Sequence, residues 1–143
     1  MPRTRRAAFT LIELVFVLAI TGLMMLIVVR PLRGYLDRLA TRTAVTEAAL
    51  LVTRARNEAL AQHTAVAVRI DTIAETIELR ARDERIAIRA LGELHGVALS
   101  TTRDSIAFDA RGLGYGAANM TLTVRKRAAS GTVVVSRLGR VRY

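Results

Sequence analysis

The chain has 143 residues, with 22 basic and 12 acidic side chains, a formal net charge of +10 and 52% hydrophobic residues. That length accommodates one small domain and little else. The complete absence of cysteine excludes a disulfide framework and a thiolate zinc site. The surplus charge is unevenly placed. Arg3, Arg5 and Arg6 fall in residues 1–8, and residues 9–110 carry equal numbers of bases and acids. Residues 111–143 carry Arg111, Arg125, Lys126, Arg127, Arg137, Arg140 and Arg142 with no acid among them. Genomic base composition accounts for the preference of arginine over lysine, but not for the loss of acids from the tail.

Residues 1–8 read as a leader rather than as structure. Residues 9–29 then run from Phe9 to Val29 without a proline, and Glu13 is their only charge. As a helix at ~1.5 Å per residue this segment is roughly 31 Å long, about the hydrocarbon thickness of a bilayer. A carboxylate in such a helix costs about 2.5–3.5 kcal/mol at the bilayer centre and less toward an end. The helix dipole also favours negative charge near the N-terminus. Glu13 therefore has two readings: an interfacial residue at the edge of an ordinary anchor, or an acid awaiting a positive partner supplied when subunits pack. Arg30, Arg33, Arg38 and Arg42 follow the span as Arg3, Arg5 and Arg6 precede it, so the positive-inside rule assigns no orientation by itself. Thr4 to Phe9 faintly suggests a twin-arginine export signal, but no small-residue cleavage site follows the apolar run.

Arg5-Arg6-Ala7-Ala8-Phe9-Thr10-Leu11-Ile12-Glu13-Leu14 resembles the class III signal of type IV pilins and type II secretion pseudopilins. The resemblance implies cleavage between Ala8 and Phe9 by a prepilin peptidase, N-methylation of Phe9, and an assembly role for Glu13 as fifth residue of the mature chain. It also implies a single-pass inner-membrane protein with a cytoplasmic N-terminus and a periplasmic C-terminal domain. One position departs from the family pattern: Ala8 stands where a glycine is usual before the cut, which bears on the efficiency of processing.

From residue 30 to 62 helical character continues as an amphipathic segment. Leu32, Leu36, Leu39, Thr43, Thr46, Leu50, Thr53 and Leu60 recur at steps near three and four and are the expected core-facing stripe. Gly22 and Pro31 are expected weak points of the helix. After Gln62 the period changes to two. Strands are expected at 65–70, 76–82, 85–90, 97–100, 105–108, 120–126, 132–136 and 140–143, rich in Val, Ile and Thr and split by turn-like stretches. No helical crossover separates them, so the sheets are expected to be antiparallel. The expected fold is α+β: a long N-terminal helix, membrane-spanning in its first half, packed on a small antiparallel β-sandwich. The organisation is then leader 1–8, transmembrane and assembly helix 9–29, helix continuation 30–62 and periplasmic β-domain 63–143. This pilin-like architecture is similar to the GspH/FimT branch of minor pilins and pseudopilins. Phe108-Asp-Ala-Arg-Gly112 resembles that branch's F-x-x-x-G stretch, and Gly139-Arg-Val-Arg142 its C-terminal G-R-x-R. Major pilins often carry a C-terminal disulfide, and its absence fits a minor subunit.

No constellation points to catalysis. His63 and His95 are the only histidines and have no neighbour at metal-ligand spacing, so structural roles are expected for both and no cofactor is implied. Asp71, Glu75, Glu78, Asp83, Glu84 and Glu93 are interspersed with arginines as on a solvated sheet face. Gly112-Leu-Gly-Tyr-Gly116 lacks the spacing of a phosphate loop and reads as a flexible turn. The basic tail is the one candidate site. Alternation sets Arg125 and Arg127 on one face of their strand, and sets Arg140 and Arg142 together on one face of theirs. With Lys126 and Arg137, these side chains form an arginine stripe if their strands are neighbours. Guanidinium forks suit phosphates, and with few aromatics beyond Tyr143 the expected mode is backbone contact with double-stranded DNA. The competing readings are contacts to neighbouring subunits and a basic edge that resists aggregation.

The function implied by the resemblance is a minor pilin or pseudopilin subunit. It would assemble with other pilins or pseudopilins into a type IV pilus or type II secretion pseudopilus, with Glu13 pairing with the amino group of an adjacent Phe9. FimT-like relatives add a role in DNA uptake through C-terminal arginines. The alternatives are a secretion pseudopilin with no DNA role and a membrane-tethered domain that never assembles.

Overall fold

The computed structural model describes residues 9–82, 84–115 and 119–143. The leader with Ala8, the acid Asp83 and the last glycine of the glycine-rich stretch, Gly116, lie outside the described residues. The chain divides into two compact units, residues 1–35 and 36–143.

The helix α1 runs from Leu11 to Gln62, so its first part belongs to the first unit. It begins with a reciprocal cap that explains where it starts. The Thr10 hydroxyl accepts from the Glu13 amide at 3.3 Å, and a Glu13 carboxylate oxygen accepts from the Thr10 amide at 3.4 Å. Both bonds are long. Behind the cap, Leu11, Ile12, Leu14, Val15, Phe16, Val17, Leu18 and Ile20 are all exposed, as are Leu23 to Ile27. This is one helix long and apolar enough to cross a membrane. Thr21 hides its hydroxyl by donating to the Val17 carbonyl at 2.7 Å. The expected weak points are not breaks, since Gly22 and Pro31 both lie inside α1. A proline removes one backbone bond while the turns on either side retain theirs.

In the second unit the stripe that α1 buries differs from the one expected. Leu36, Leu39, Leu50 and Leu60 are 40–61% exposed. The buried face is Asp37, Thr41, Ala44, Val45, Ala48, Ala49, Leu51, Val52, Ala55 and Ala59, of which five are alanines. Small side chains let the helix backbone approach a sheet closely, and Leu51 is the one leucine among the described residues of this stretch that the contact buries. On the sheet side Gly131 has the matching role: a β-carbon there would sit 2.8 Å from Val45 Cγ2.

Among the described residues nine strands and a short helix follow. A five-stranded antiparallel sheet has the order β3-β2-β1-β5-β6. Its strands are β1 (Val66–Asp71), β2 (Thr76–Ala81), β3 (Glu84–Ala90), β5 (Ser105–Phe108) and β6 (Gly114–Tyr115). A four-stranded antiparallel sheet has the order β4-β7-β8-β9, built from β4 (Ala98–Thr101), β7 (Met120–Lys126), β8 (Ala129–Val135) and β9 (Val141–Arg142). Alternation works as expected within them: Val66, Val68 and Ile70 face inward from β1, and Met120, Leu122 and Val124 from β7. One core, with Phe108, Ile77, Leu79, Leu91 and Met120 fully buried, joins both sheets to the alanine face of α1. The helix α2 (Leu91–His95) and the strand β6 had no counterpart in the pattern of alternation. Both are too short to show a period, and β6 replaces part of the expected flexible turn.

Candidate functional site

At the N-terminus the candidate residue is Glu13. Apart from the cap with Thr10, its carboxylate has no ion pair among the described residues and lies in an exposed apolar stretch. The cap was legible as Thr-x-x-Glu ahead of an apolar run, and it gives Glu13 a structural role within its own chain. Phe9 is 84% exposed.

The C-terminal basic residues divide into two groups. Lys126 and Arg127 are engaged within the fold. Lys126 Nζ donates to the His95 carbonyl. Arg127, in the β7–β8 turn with φ 51°, places its guanidinium 3.1 Å from a carboxylate oxygen of buried Asp37 on α1. Such a pair satisfies the buried acid and ties the hairpin tip to the helix. Arg127 therefore does not extend the face of Arg125, because β7 ends at Lys126.

Arg125, Arg137, Arg140 and Arg142 are exposed, and their side chains have no hydrogen bond or ion pair among the described residues. The expected stripe required β7 and β9 to be neighbours, but β8 lies between them. Arg142 pairs with Val134, Val134 with Thr121, and Arg125 lies four residues further along β7. At strand spacings of ~4.8 Å and a rise of ~3.4 Å per residue, Arg125 and Arg142 are roughly 17 Å apart on the outer face. Arg125 thus stands away from Arg137, Arg140 and Arg142, which cluster around the β8–β9 turn.

That turn is held by backbone bonds. The Ser136 amide donates to the Arg140 carbonyl at 2.9 Å, the Arg140 amide to Ser136 Oγ at 3.1 Å, and the Gly139 amide to the Ser136 carbonyl at 2.9 Å. It also meets the other sheet, since the Gly114 amide donates to the Arg137 carbonyl at 2.8 Å. The β5–β6 loop is organised by Asp109, whose carboxylate accepts from the Leu113 and Arg111 amides at 2.9 Å each and pairs with the Arg111 guanidinium at 3.1 Å. These donors, the Leu113 amide foremost, hold the Asp109 carboxyl below its ordinary pKa. Tyr115, Leu138 and Tyr143 are exposed beside these loops at 75, 59 and 71%. Arg56, which no pattern singled out, reaches from α1 to both loops: Nε donates to the Gly112 carbonyl at 3.0 Å and Nη1 to the Gly139 carbonyl at 3.4 Å.

The histidines are structural or solvent-facing. His95 Nε2 lies 2.8 Å from Glu47, which also pairs with Arg89 at 3.2 Å, and His63 is exposed at the end of α1. Among the described residues no three potential ligands converge on a metal site.

Comparison with known proteins agrees with this geometry. The profile of the prokaryotic N-terminal methylation motif matches residues 3–29, and that of the type II transport protein GspH matches residues 44–139. The fold is similar to the type IV minor pilin FimU of Pseudomonas aeruginosa, with a TM-score of 0.63 at 16% identity, covering 76% of this chain and 90% of that one. It is also similar to the minor pseudopilin EpsH from the type 2 secretion system of Vibrio cholerae, with a TM-score of 0.56 at 13% identity, covering 71% of this chain and 94% of that one. No curated protein sequence matches the chain significantly.

Proposed function

The chain belongs to the GspH family of type II transport proteins, pilin-like minor pilins and pseudopilins, and from that premise we propose that it is an assembling filament subunit with a nucleic-acid-binding head. A prepilin peptidase cuts between Ala8 and Phe9, Phe9 is methylated, and the helix up to Val29 anchors the subunit in the inner membrane with the head in the periplasm. The exposed apolar surface from Leu11 to Ile27, whose only charge is Glu13, carries this reading. Such a surface is at home in lipid and equally in a bundle of like helices. In the bundle Glu13 pairs with the amino group of a neighbouring Phe9, which offsets the cost of a charge removed from water and sets axial register. Mass spectrometry of the membrane-extracted protein tests it. A mature chain starting at methylated Phe9 is expected. A retained leader would overturn the assembly reading and leave a simple tether.

The second part of the reading is that the head holds DNA through Arg137, Arg140 and Arg142, with Arg125 as an outlying contact. It is supported by the cluster at one turn of guanidinium groups with no partner among the described residues and by a tail without acids. Lys126 and Arg127 are committed to His95 and Asp37, so they contribute field rather than contacts. The full chain in zwitterionic nanodiscs, titrated with duplex DNA over a range of salt, is expected to bind with steep salt dependence. Arg140→Ala/Arg142→Ala is expected to weaken that binding without loss of fold. No binding at low salt assigns the arginines to contacts between subunits, and the protein is then a pseudopilin without a DNA role.

A further inference from the structure

We propose that Arg56 is a positioning residue for the arginine cluster: its guanidinium joins the β5–β6 loop to the β8–β9 turn and thereby fixes Arg137 and Arg140 for the phosphates of a nucleic acid. This inference rests on the nucleic-acid reading above.

The two loops come from different sheets and are far apart in sequence, with Gly112 in one and Gly139 in the other. Both glycines have φ +72°, a left-handed conformation that side chains rarely adopt. Both are also packed against Arg56. A β-carbon on Gly139 would lie 2.7 Å from the Gly112 carbonyl oxygen and 2.9 Å from Arg56 Nε. One on Gly112 would lie 3.1 Å from Arg56 Nε and 3.2 Å from Leu60 Cδ1. The glycines thus clear the space through which a planar fork reaches two carbonyls at once, which a lysine's single ammonium does not reproduce. From this junction backbone bonds lead to Arg137 and Arg140. Gly114 binds the Arg137 carbonyl, and Gly139 and Arg140 are both bonded to Ser136. Arg56 is half-buried and spends its Nε and one Nη on carbonyls. It therefore acts through the arginines it places and not as a phosphate ligand.

The test uses the full chain in zwitterionic nanodiscs, comparing the parent, Arg56→Met, Arg56→Lys and Arg140→Ala/Arg142→Ala. Duplex DNA binding is measured as a function of salt, and hydrogen exchange by mass spectrometry follows the loops. Arg56→Met is expected to weaken binding by about tenfold, the cost of ordering two loosened side chains on the ligand. The slope of log affinity against log salt should not change. Arg140→Ala/Arg142→Ala is expected to flatten that slope by about 1.8, since each lost phosphate contact removes about 0.9. Residues 109–115 and 136–140 are expected to exchange faster together in Arg56→Met while β1 and β2 do not change, and Arg56→Lys is expected to recover part of the affinity. Parent-like affinity in Arg56→Met overturns the proposal. So does a flattened slope, which would make Arg56 a direct phosphate contact, or faster exchange across β1 and β2, which would make it a general stabiliser. A parent that fails to bind DNA overturns the nucleic-acid reading first and this role with it.

Discussion

Two stretches of one helix face different demands. From Leu11 to Ile27, α1 is exposed on every side and apolar but for Glu13 and Thr21. From Leu36 to Gln62 it divides into a buried face of alanines, Val45, Leu51 and Val52 and an outward face carrying Leu36, Leu39, Leu50 and Leu60. The first stretch has no preferred face, so it suits surroundings that are uniformly apolar, whether lipid or packed helices. The second is selected by shape. In it four of the five leucines are left outside and only Leu51 is taken in, because the sheets favour side chains that let the helix backbone come close. Hydrophobicity places the first stretch, and size orients the second.

The sharpest way to break this comparison is to place the same acid on the two faces of the second stretch. Val52→Asp, at a fully buried position, is expected to abolish folding of the head, since an unpaired buried carboxylate costs several kcal/mol. Leu50→Asp is expected to shift stability by no more than about 0.5 kcal/mol. Chemical unfolding followed by circular dichroism separates the two, and equal effects would refute the facing of the helix. Ala48→Leu, which adds bulk at a residue with no exposed surface, is expected to destabilise the head by about 1–3 kcal/mol. Arg127→Ala, which orphans the carboxylate of Asp37, is expected to cost about 1–3 kcal/mol in the same assay. In the first stretch, Glu13→Gln is expected to leave unfolding of the head unchanged and to reduce incorporation into filaments, scored by shearing and immunoblotting.

The smallest effect concerns pH. Asp109 has its carboxyl held below the ordinary value by the amides it accepts from, so its contribution is complete above the unfolded pKa of about 3.9 and is lost as pH falls through the lower folded value. The protection of β5–β6 loop amides, taken relative to the intrinsic exchange rate at each pH, is therefore expected to hold down to about pH 4 and to fall only below it. Asp109→Asn is expected to remove that acid-dependent component.

Much of this was legible in the residues. The apolar run with a single early acid indicates a helix long and apolar enough to cross a membrane, and alternation of Val, Ile and Thr placed β5 and β7 to the residue and most other strands within one or two. The core-facing stripe was misread because periodicity locates an apolar face without saying which of two is the smaller, and Ala44, Ala48, Ala55 and Ala59 give a weaker hydropathy signal than Leu36, Leu39 and Leu50. The arginine cluster was half legible. Alternation sets faces within a strand, but strand order is a property of the whole sheet, and the interposition of β8 separates Arg125 from Arg142. Arg56 carried no local signal at all, since its partners are carbonyls far along the chain.

The cap at the head of α1 bears on the state proposed for a subunit before assembly. The Glu13 carboxylate already leans back 3.4 Å from the Thr10 amide, and Phe9 is one residue further on. A chain cut after Ala8 would carry its new ammonium within a short reach of its own carboxylate. The waiting subunit would then be a zwitterion and not a bare anion, with a dipole to solvate instead of a net charge. Joining a filament would amount to exchanging one ammonium for another, so only the difference between the self-made and the neighbour-made pair would favour assembly. Such a nearly balanced exchange would be reversible.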